Sequence, residues 1–131
     1  MNLNIEILLK GRACPRPRRS RGGGVFMPKP YKDWKKQVVE LLQNATDVRD
    51  IELCEVKMLF LFAKPKRLKK TLGRVPRETK PDTDNLAKGL LDALQDSGIL
   101  KDDKLVYKMT ACKMWKSEEE SECMQIIIST S

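Results

Sequence analysis

The chain has 131 residues, a net charge of +8 and no histidine. Its length predicts one domain spanning residues 1–131, and the missing histidine excludes Ser-His-Asp and Cys-His catalysis and histidine-based zinc sites. No apolar stretch approaches the ~20 residues that span a bilayer, so no membrane association is expected. The first residues lack a basic leader, which predicts no secretory signal and a cytoplasmic location.

The first half of the chain predicts a strand, a basic loop, a helix and a second strand. Alternating apolar side chains predict a strand over 3–9. A basic loop rich in proline and glycine follows over 10–30. From Pro30, apolar residues spaced as on one helical face predict a helix to about residue 45. The run over 51–62 alternates again and predicts the second strand.

The second half predicts another basic loop, a helix and two strands. The loop covers 64–81, and a leucine-rich helix follows over about 83–97, with Gly98 suited to its end. Strands are predicted over 104–115 and 122–129. The order β-α-β-α-β-β predicts an α+β fold in which two helices pack on one small mixed sheet.

Positive charge is concentrated in two segments. Residues 10–36 contain ten basic residues and one acidic residue, and residues 64–80 contain eight and one. Basic loops suit a polyanion because phosphate contacts release counterions; the other interpretation is a basic surface that only keeps the protein soluble. We predict nucleic-acid contacts from Arg12, Arg16, Arg18, Arg19, Arg21, Lys29, Lys32, Lys35, Lys66, Arg67, Lys69, Lys70, Arg74, Arg77 and Lys80.

The four cysteines are too widely spaced for a zinc ribbon. Without an export signal, the expected compartment is reducing. We therefore predict four free thiols, with Cys54 and Cys112 in strands.

Acidic residues gather around the predicted second helix. Asp82 and Asp84 are two residues apart at its start. Asp84, Lys88 and Asp92 follow at intervals of four, so they share one helical face. Two further acids, Asp102 and Asp103, come after the helix, and they join the first pair only if the next strand returns beside the helix start.

Converging carboxylates repel one another unless a cation lies between them. Hard oxygen ligands favour Mg²⁺, with Mn²⁺ as a substitute, and such ions activate water for phosphodiester cleavage. The neighbouring Lys88 can stabilise the developing charge. Each acid also has an ordinary explanation: Asp84 as a helix cap or the partner of Lys88, Asp82 as a dipole partner, and the later pair as a solvated turn.

The motif resembles the RusA family of Holliday-junction resolvases. The stretch Asp82-Thr83-Asp84-Asn85-Leu86-Ala87-Lys88 precedes Asp92-Ala93-Leu94 and Asp102-Asp103, as in that family. The amino-terminal strand, the Pro/Arg loop from Cys14 to Arg19 and the start Pro30-Tyr31-Lys32-Asp33-Trp34 are similar to phage-type members. The resemblance covers most of the chain.

This resemblance implies a Mg²⁺-dependent endonuclease, encoded by a phage or prophage, that acts as a homodimer without an organic cofactor and cuts paired strands of a four-way DNA junction. By position, Asp82, Asp84 and Asp103 match the metal-binding acids and Lys88 the catalytic lysine. Asp92 matches a recurrent acid that we interpret as orienting Lys88 or supporting the ligands. Asp102 replaces Asp103 if the register shifts by one.

Two features depart from the family pattern. The basic loop from Lys64 to Lys80 is longer than in compact members, and the first loop lacks a Pro-Pro-Ser-Asn segment. The competing hypotheses are a non-catalytic nucleic-acid-binding protein that uses only the basic loops, and a small phage regulator or assembly factor with a protein partner. The strand over 122–129 and the first strand are candidate dimer edges.

Overall fold

The computed structural model, which describes residues 1–131, contains two helices and seven strands. The helices are α1 (Lys29–Ala45) and α2 (Thr83–Asp96). The strands are β1 (Asn2–Ile7), β2 (Arg18–Arg19), β3 (Val25–Phe26), β4 (Cys54–Phe62), β5 (Val75–Pro76), β6 (Val106–Trp115) and β7 (Cys123–Ser129). Two 3₁₀ turns, Lys66–Leu68 and Asp103–Leu105, precede β5 and β6.

Five strands form one mixed sheet in the order β1-β7-β4-β6-β5. The β4–β6 pair is parallel, with α2 in the connection between them, and the other pairs are antiparallel. The predicted α+β class, the mixed sheet and the two helices are confirmed. Neither helix is both long and apolar enough to cross a membrane.

One core joins both helices to the sheet. On α1, the buried side chains Tyr31, Trp34, Val38 and Leu42 follow the spacing of a single face. On α2, the buried leucines repeat every four residues. Strand β4 alternates buried and more exposed positions along its first half, so the sheet turns its apolar side towards the helices.

The basic loops contain more structure than the sequence predicted. Strands β2 and β3 form a hairpin within residues 10–30, and its turn is closed by a 2.7 Å bond from Ser20 N to Gly24 O. The second loop contains a 3₁₀ turn and β5. These pieces are too short to show a hydrophobic period, so the pattern could not reveal them.

One expectation about the sheet was wrong. Strand β7 lies between β1 and β4, so it cannot be a free dimer edge, whereas β1 is an outer strand. The apolar character of β7 reflects an interior place in the sheet. All four cysteines are free thiols, as predicted, and Cys112 is the exposed one.

Candidate active site

Asp82 and Asp84 lie at the amino-terminal end of α2 with both carboxylates exposed. Asp82 occupies the N-cap position but makes no side-chain capping bond. Asp84 accepts a 3.0 Å hydrogen bond from the Asn85 amide. Neither acid has a cation within 4.0 Å among the chain's ion pairs, so the alternative explanation of Asp84 as the ion-pair partner of Lys88 does not hold. Both carboxylates are free to bind a ligand at a position where the helix dipole favours negative charge.

The far end of β6 fixes the segment that leads into Asp82. Lys113 Nζ donates to the carbonyl oxygens of Thr79 and Pro81, each at 2.8 Å. The Lys80–Pro81 peptide bond is cis. The approach to Asp82 is therefore held by the sheet rather than left as a free loop.

The first basic loop crosses α2 beside these acids. The Cys14 amide donates a 3.0 Å bond to Asn85 O, and a Cβ at Gly89 would lie 2.6 Å from Arg12 O. The chain thus needs glycine at position 89 for this close approach. Lys88, on the neighbouring turn, is exposed and makes no ion pair. Sequence reasoning missed the crossing, although a glycine inside a predicted helix was the available signal.

Asp92 turns towards α1. Its Oδ2 accepts a 3.0 Å hydrogen bond from the Tyr31 hydroxyl and lies 3.8 Å from Cys14 Sγ. Burial raises the pKa of Tyr31, and the Cys14 and Asp92 side chains add to that rise. Asp92 makes no ion pair with Lys88; its contacts join α1, α2 and the basic loop.

The pair Asp102 and Asp103 lies at the opposite end of α2. Asp102 Oδ1 accepts a 3.1 Å bond from the Lys104 amide, and this bond is the main reason that the pKa of Asp102 is lowered. The Asp103 amide donates a 2.8 Å bond to Gln95 Oε1, and its carboxylate is exposed. The Asp102 carboxylate therefore stabilises the turn that follows it. The Asp103 carboxylate makes no ion pair.

Within one chain, Asp103 does not approach Asp82 and Asp84. Gln95, which accepts a bond from the Asp103 amide, lies eleven positions after Asp84, or about 16 Å along the helix. Strand β6 does reach the segment before the helix start, through Lys113 near its far end. Accordingly, nowhere in the chain do three or more Cys, Asp or Glu side chains gather closely enough to hold a metal ion.

Several basic residues have partners inside the chain. Of the predicted DNA contacts, Lys29 pairs with Asp33 and Lys35 with Asp96, while Arg67 pairs with Glu78 and Arg74 with Glu120. These four charges are partly neutralised. The members without an ion pair are Arg12, Arg16, Arg18, Arg19, Arg21, Lys32, Lys66, Lys69, Lys70, Arg77 and Lys80.

Two free aspartates, a free lysine and a basic loop thus meet at the start of α2, as a nuclease acting on a polyanion would require. The family model described as "Endodeoxyribonuclease RusA" matches residues 10–124. The chain belongs to this family of endodeoxyribonucleases, which confirms the resemblance and the class of enzyme. It is 26% identical over 127 residues to the crossover junction endodeoxyribonuclease RusA of Aquifex aeolicus (strain VF5), and the match covers 93% of this chain and 90% of that relative.

Proposed function

We propose that this protein is a structure-specific, Mg²⁺-dependent endonuclease that resolves four-way DNA junctions by paired nicks, acting as a homodimer. Family membership supports the reaction class. The observation that carries the proposal is the pair of exposed carboxylates on Asp82 and Asp84, neither of which forms an ion pair, with Lys88, also without an ion pair, one turn away. The unpaired basic residues would bind phosphates on either side of this point.

Asp82 and Asp84 would hold the metal ion. Their exposed oxygens are hard ligands, which Mg²⁺ prefers, and no protein cation competes for them. When bound, the ion supplies water activation and neutralises charge at the phosphate. Lys88 would donate hydrogen bonds to a phosphate oxygen of the cleaved strand, and the basic loop over Asn85 and Gly89 would orient that strand.

Two acids of one chain do not complete the expected set of three. Asp102 is engaged in its own turn, so Asp103 is the better third ligand. Because Asp103 lies at the far end of α2, we propose that it reaches the site from a second copy of the chain. Catalysis would then require the dimer.

The free edge of β6 offers a place for the second copy. Strand β5 pairs only with Met114 and Trp115, so the edge between Val106 and Cys112 has no strand partner. Tyr107 and Met109 are exposed on this stretch. If two β6 edges meet antiparallel about a two-fold axis within residues 106–112, the turn with Asp103 at the start of one β6 lies towards the far end of the other copy's β6. At that end, Lys113 holds the segment before Asp82. The same two-fold axis would bring an Asp103 carboxylate to the site of each copy.

The test is cleavage of an immobile four-way DNA junction with Mg²⁺ and with EDTA, beside a linear duplex of the same sequence. We expect paired nicks on the junction in Mg²⁺ only. Asp82→Asn should abolish cleavage and leave junction binding intact or tighter, because it removes a metal ligand and a charge that repels phosphate. Junction binding without cleavage, unchanged by metal or by Asp82→Asn, would instead support the non-catalytic nucleic-acid-binding hypothesis.

A further inference from the structure

An open cavity of about 810 Å³ lies beside the segment that leads to Asp82. Its walls come from the first basic loop, the β2–β3 hairpin, the start of α1 and the ends of β4 and β6. Pro81 lines the cavity, and Asp82 follows it directly in the chain. The volume is in the range of small-molecule sites, roughly 300–1,000 Å³.

The lining is strongly basic. Five cationic side chains and one acidic side chain face the cavity, namely Lys10, Arg12, Arg18, Lys29 and Arg77 against Glu122. Glu122 is itself engaged, because its Oε2 accepts a 2.9 Å bond from the Ala63 amide. Lys29 pairs with Asp33, so the four cations without an ion pair are Lys10, Arg12, Arg18 and Arg77. The cavity therefore suits an anionic ligand.

Arg77 is held rigidly in the cavity wall. Its Cζ lies 4.3 Å from the ring centroid of Phe62 and 4.5 Å from that of Trp115. Its Nε donates to Thr79 Oγ1 at 3.2 Å and its Nη2 to Lys80 O at 2.6 Å, yet it has no ion pair with a carboxylate. A planar cation that is fixed in place and not neutralised is suited to binding a phosphate group.

The cavity also offers aromatic surface. Phe26 of β3 lies at its lining and is 47% exposed, directly opposite Arg18 in the hairpin. Trp115 also lines the cavity, and its buried Nε1 has no hydrogen-bond partner. An exposed ring beside cations is the combination that binds an unpaired nucleobase and its phosphate.

We propose that this cavity receives one unstacked nucleotide of the DNA strand next to the cleaved phosphate, with its base on Phe26 and its phosphate on Arg77 and Arg18. The inference rests on the proposed function and adds a source of junction selectivity. A base stacked within a duplex cannot enter a concave site. Extruding a base costs free energy for unstacking and unpairing, and this cost is least for a base that is already unpaired. The branch point is therefore favoured over duplex arms.

The test compares the binding of three DNA probes by fluorescence anisotropy in EDTA. One probe is a duplex with a single unpaired nucleotide, the second has an abasic site in place of that nucleotide, and the third is fully paired. We expect the wild-type protein to prefer the first probe about tenfold over the abasic probe, because the abasic probe has no base to stack on an aromatic ring. Phe26→Ala should lose this preference. Val25→Ala is the matched control, because Val25 is exposed on the same strand but does not line the cavity.

Equal wild-type affinity for the unpaired and abasic probes would overturn the proposal, as would a full preference in folded Phe26→Ala protein. The comparison of the two probes with wild-type protein needs no variant. It therefore tests the proposal even if Phe26→Ala disrupts the β2–β3 hairpin. Because no metal is present, a protein that fails to cleave junctions can still show this preference, and a junction endonuclease can lack it. The two proposals therefore fail separately.

Discussion

The Tyr31 hydroxyl donates a 3.0 Å hydrogen bond to Asp92 Oδ2, and this bond joins α1 to α2 beneath the first basic loop. Cys14 of that loop lies 3.8 Å from the same oxygen. Tyr31 is 1% exposed, so its hydroxyl depends on acceptors within the protein. Asp92, which the helical spacing places on the same face of α2 as Asp84 and Lys88, is thus also the point where three segments meet.

Removing the Asp92 carboxylate should destabilise the fold. We expect Asp92→Ala to lower the free energy of unfolding by about 1–3 kcal/mol, because it leaves a buried hydroxyl without its acceptor. Asp92→Asn keeps an acceptor oxygen and should cost less. Urea unfolding of the two variants measures these changes in the free energy of unfolding. Asp47→Ala is the control, because Asp47 is exposed and makes no ion pair. If Asp92→Asn keeps wild-type stability but loses junction cleavage, Asp92 acts on the reaction and its packing role is secondary.

Gly89 allows the basic loop to cross α2, so adding a methyl group there should displace the loop. In an open helix, Gly→Ala stabilises by about 1 kcal/mol; here the new Cβ would meet a backbone oxygen at 2.6 Å. We expect Gly89→Ala to lower both stability and junction affinity, measured by urea unfolding and gel shift. Gly22→Ala, in the same loop with no atom within 4 Å of its Cβ, should change neither. Equal behaviour of the two variants would contradict the close approach.

The elements that could be predicted from the sequence are those with a long hydrophobic period. Helix α2 and strand β4 fall within a few residues of their predicted bounds, because their buried faces repeat at 3.6 and 2 residues. The motif from Asp82 to Lys88 indicated where α2 begins. The position of Asp103 could not be predicted, because it depends on which end of β6 lies beside that start. The contact of Asp92 with Tyr31 likewise depends on how the two helices pack, because these residues are 61 positions apart in sequence.

Low pH should break the ion pairs that join the second basic loop to the turn before β7, namely Lys64–Glu118 and Arg74–Glu120. The pKa of Glu118 is about 2, lowered by backbone amides and by Lys64, and that of Glu120 is about 2, lowered chiefly by Arg74. The unfolded chain binds these protons near pH 4.5, so their contribution to stability is complete above that pH and is lost as pH falls towards 2. We expect the difference in urea midpoint between wild type and Glu118→Gln/Glu120→Gln to shrink across this window.

A neighbouring acid provides the control for this titration. Glu119 is exposed and has no ion pair, so Glu119→Gln should leave the pH profile unchanged. A difference between wild type and the double variant that stays constant from neutral pH to pH 2 would show that the two carboxylates do not hold the loop by charge.

If the third metal ligand comes from the partner copy, a dimer that combines two inactive variants should regain nicking activity. In a mixed dimer of Asp82→Asn and Asp103→Asn chains, one site collects both substitutions and the other collects neither. Two differently tagged chains, co-expressed and purified as the mixed dimer, should therefore nick the junction in Mg²⁺ without making the paired cut that needs two sites. A mixed dimer of Asp82→Asn and Asp84→Asn is the control, because each of its sites contains one altered acid, and it should be inactive. Should the first mixed dimer be as inactive as this control, Asp103 acts within its own chain or not at all, and the shared site is wrong.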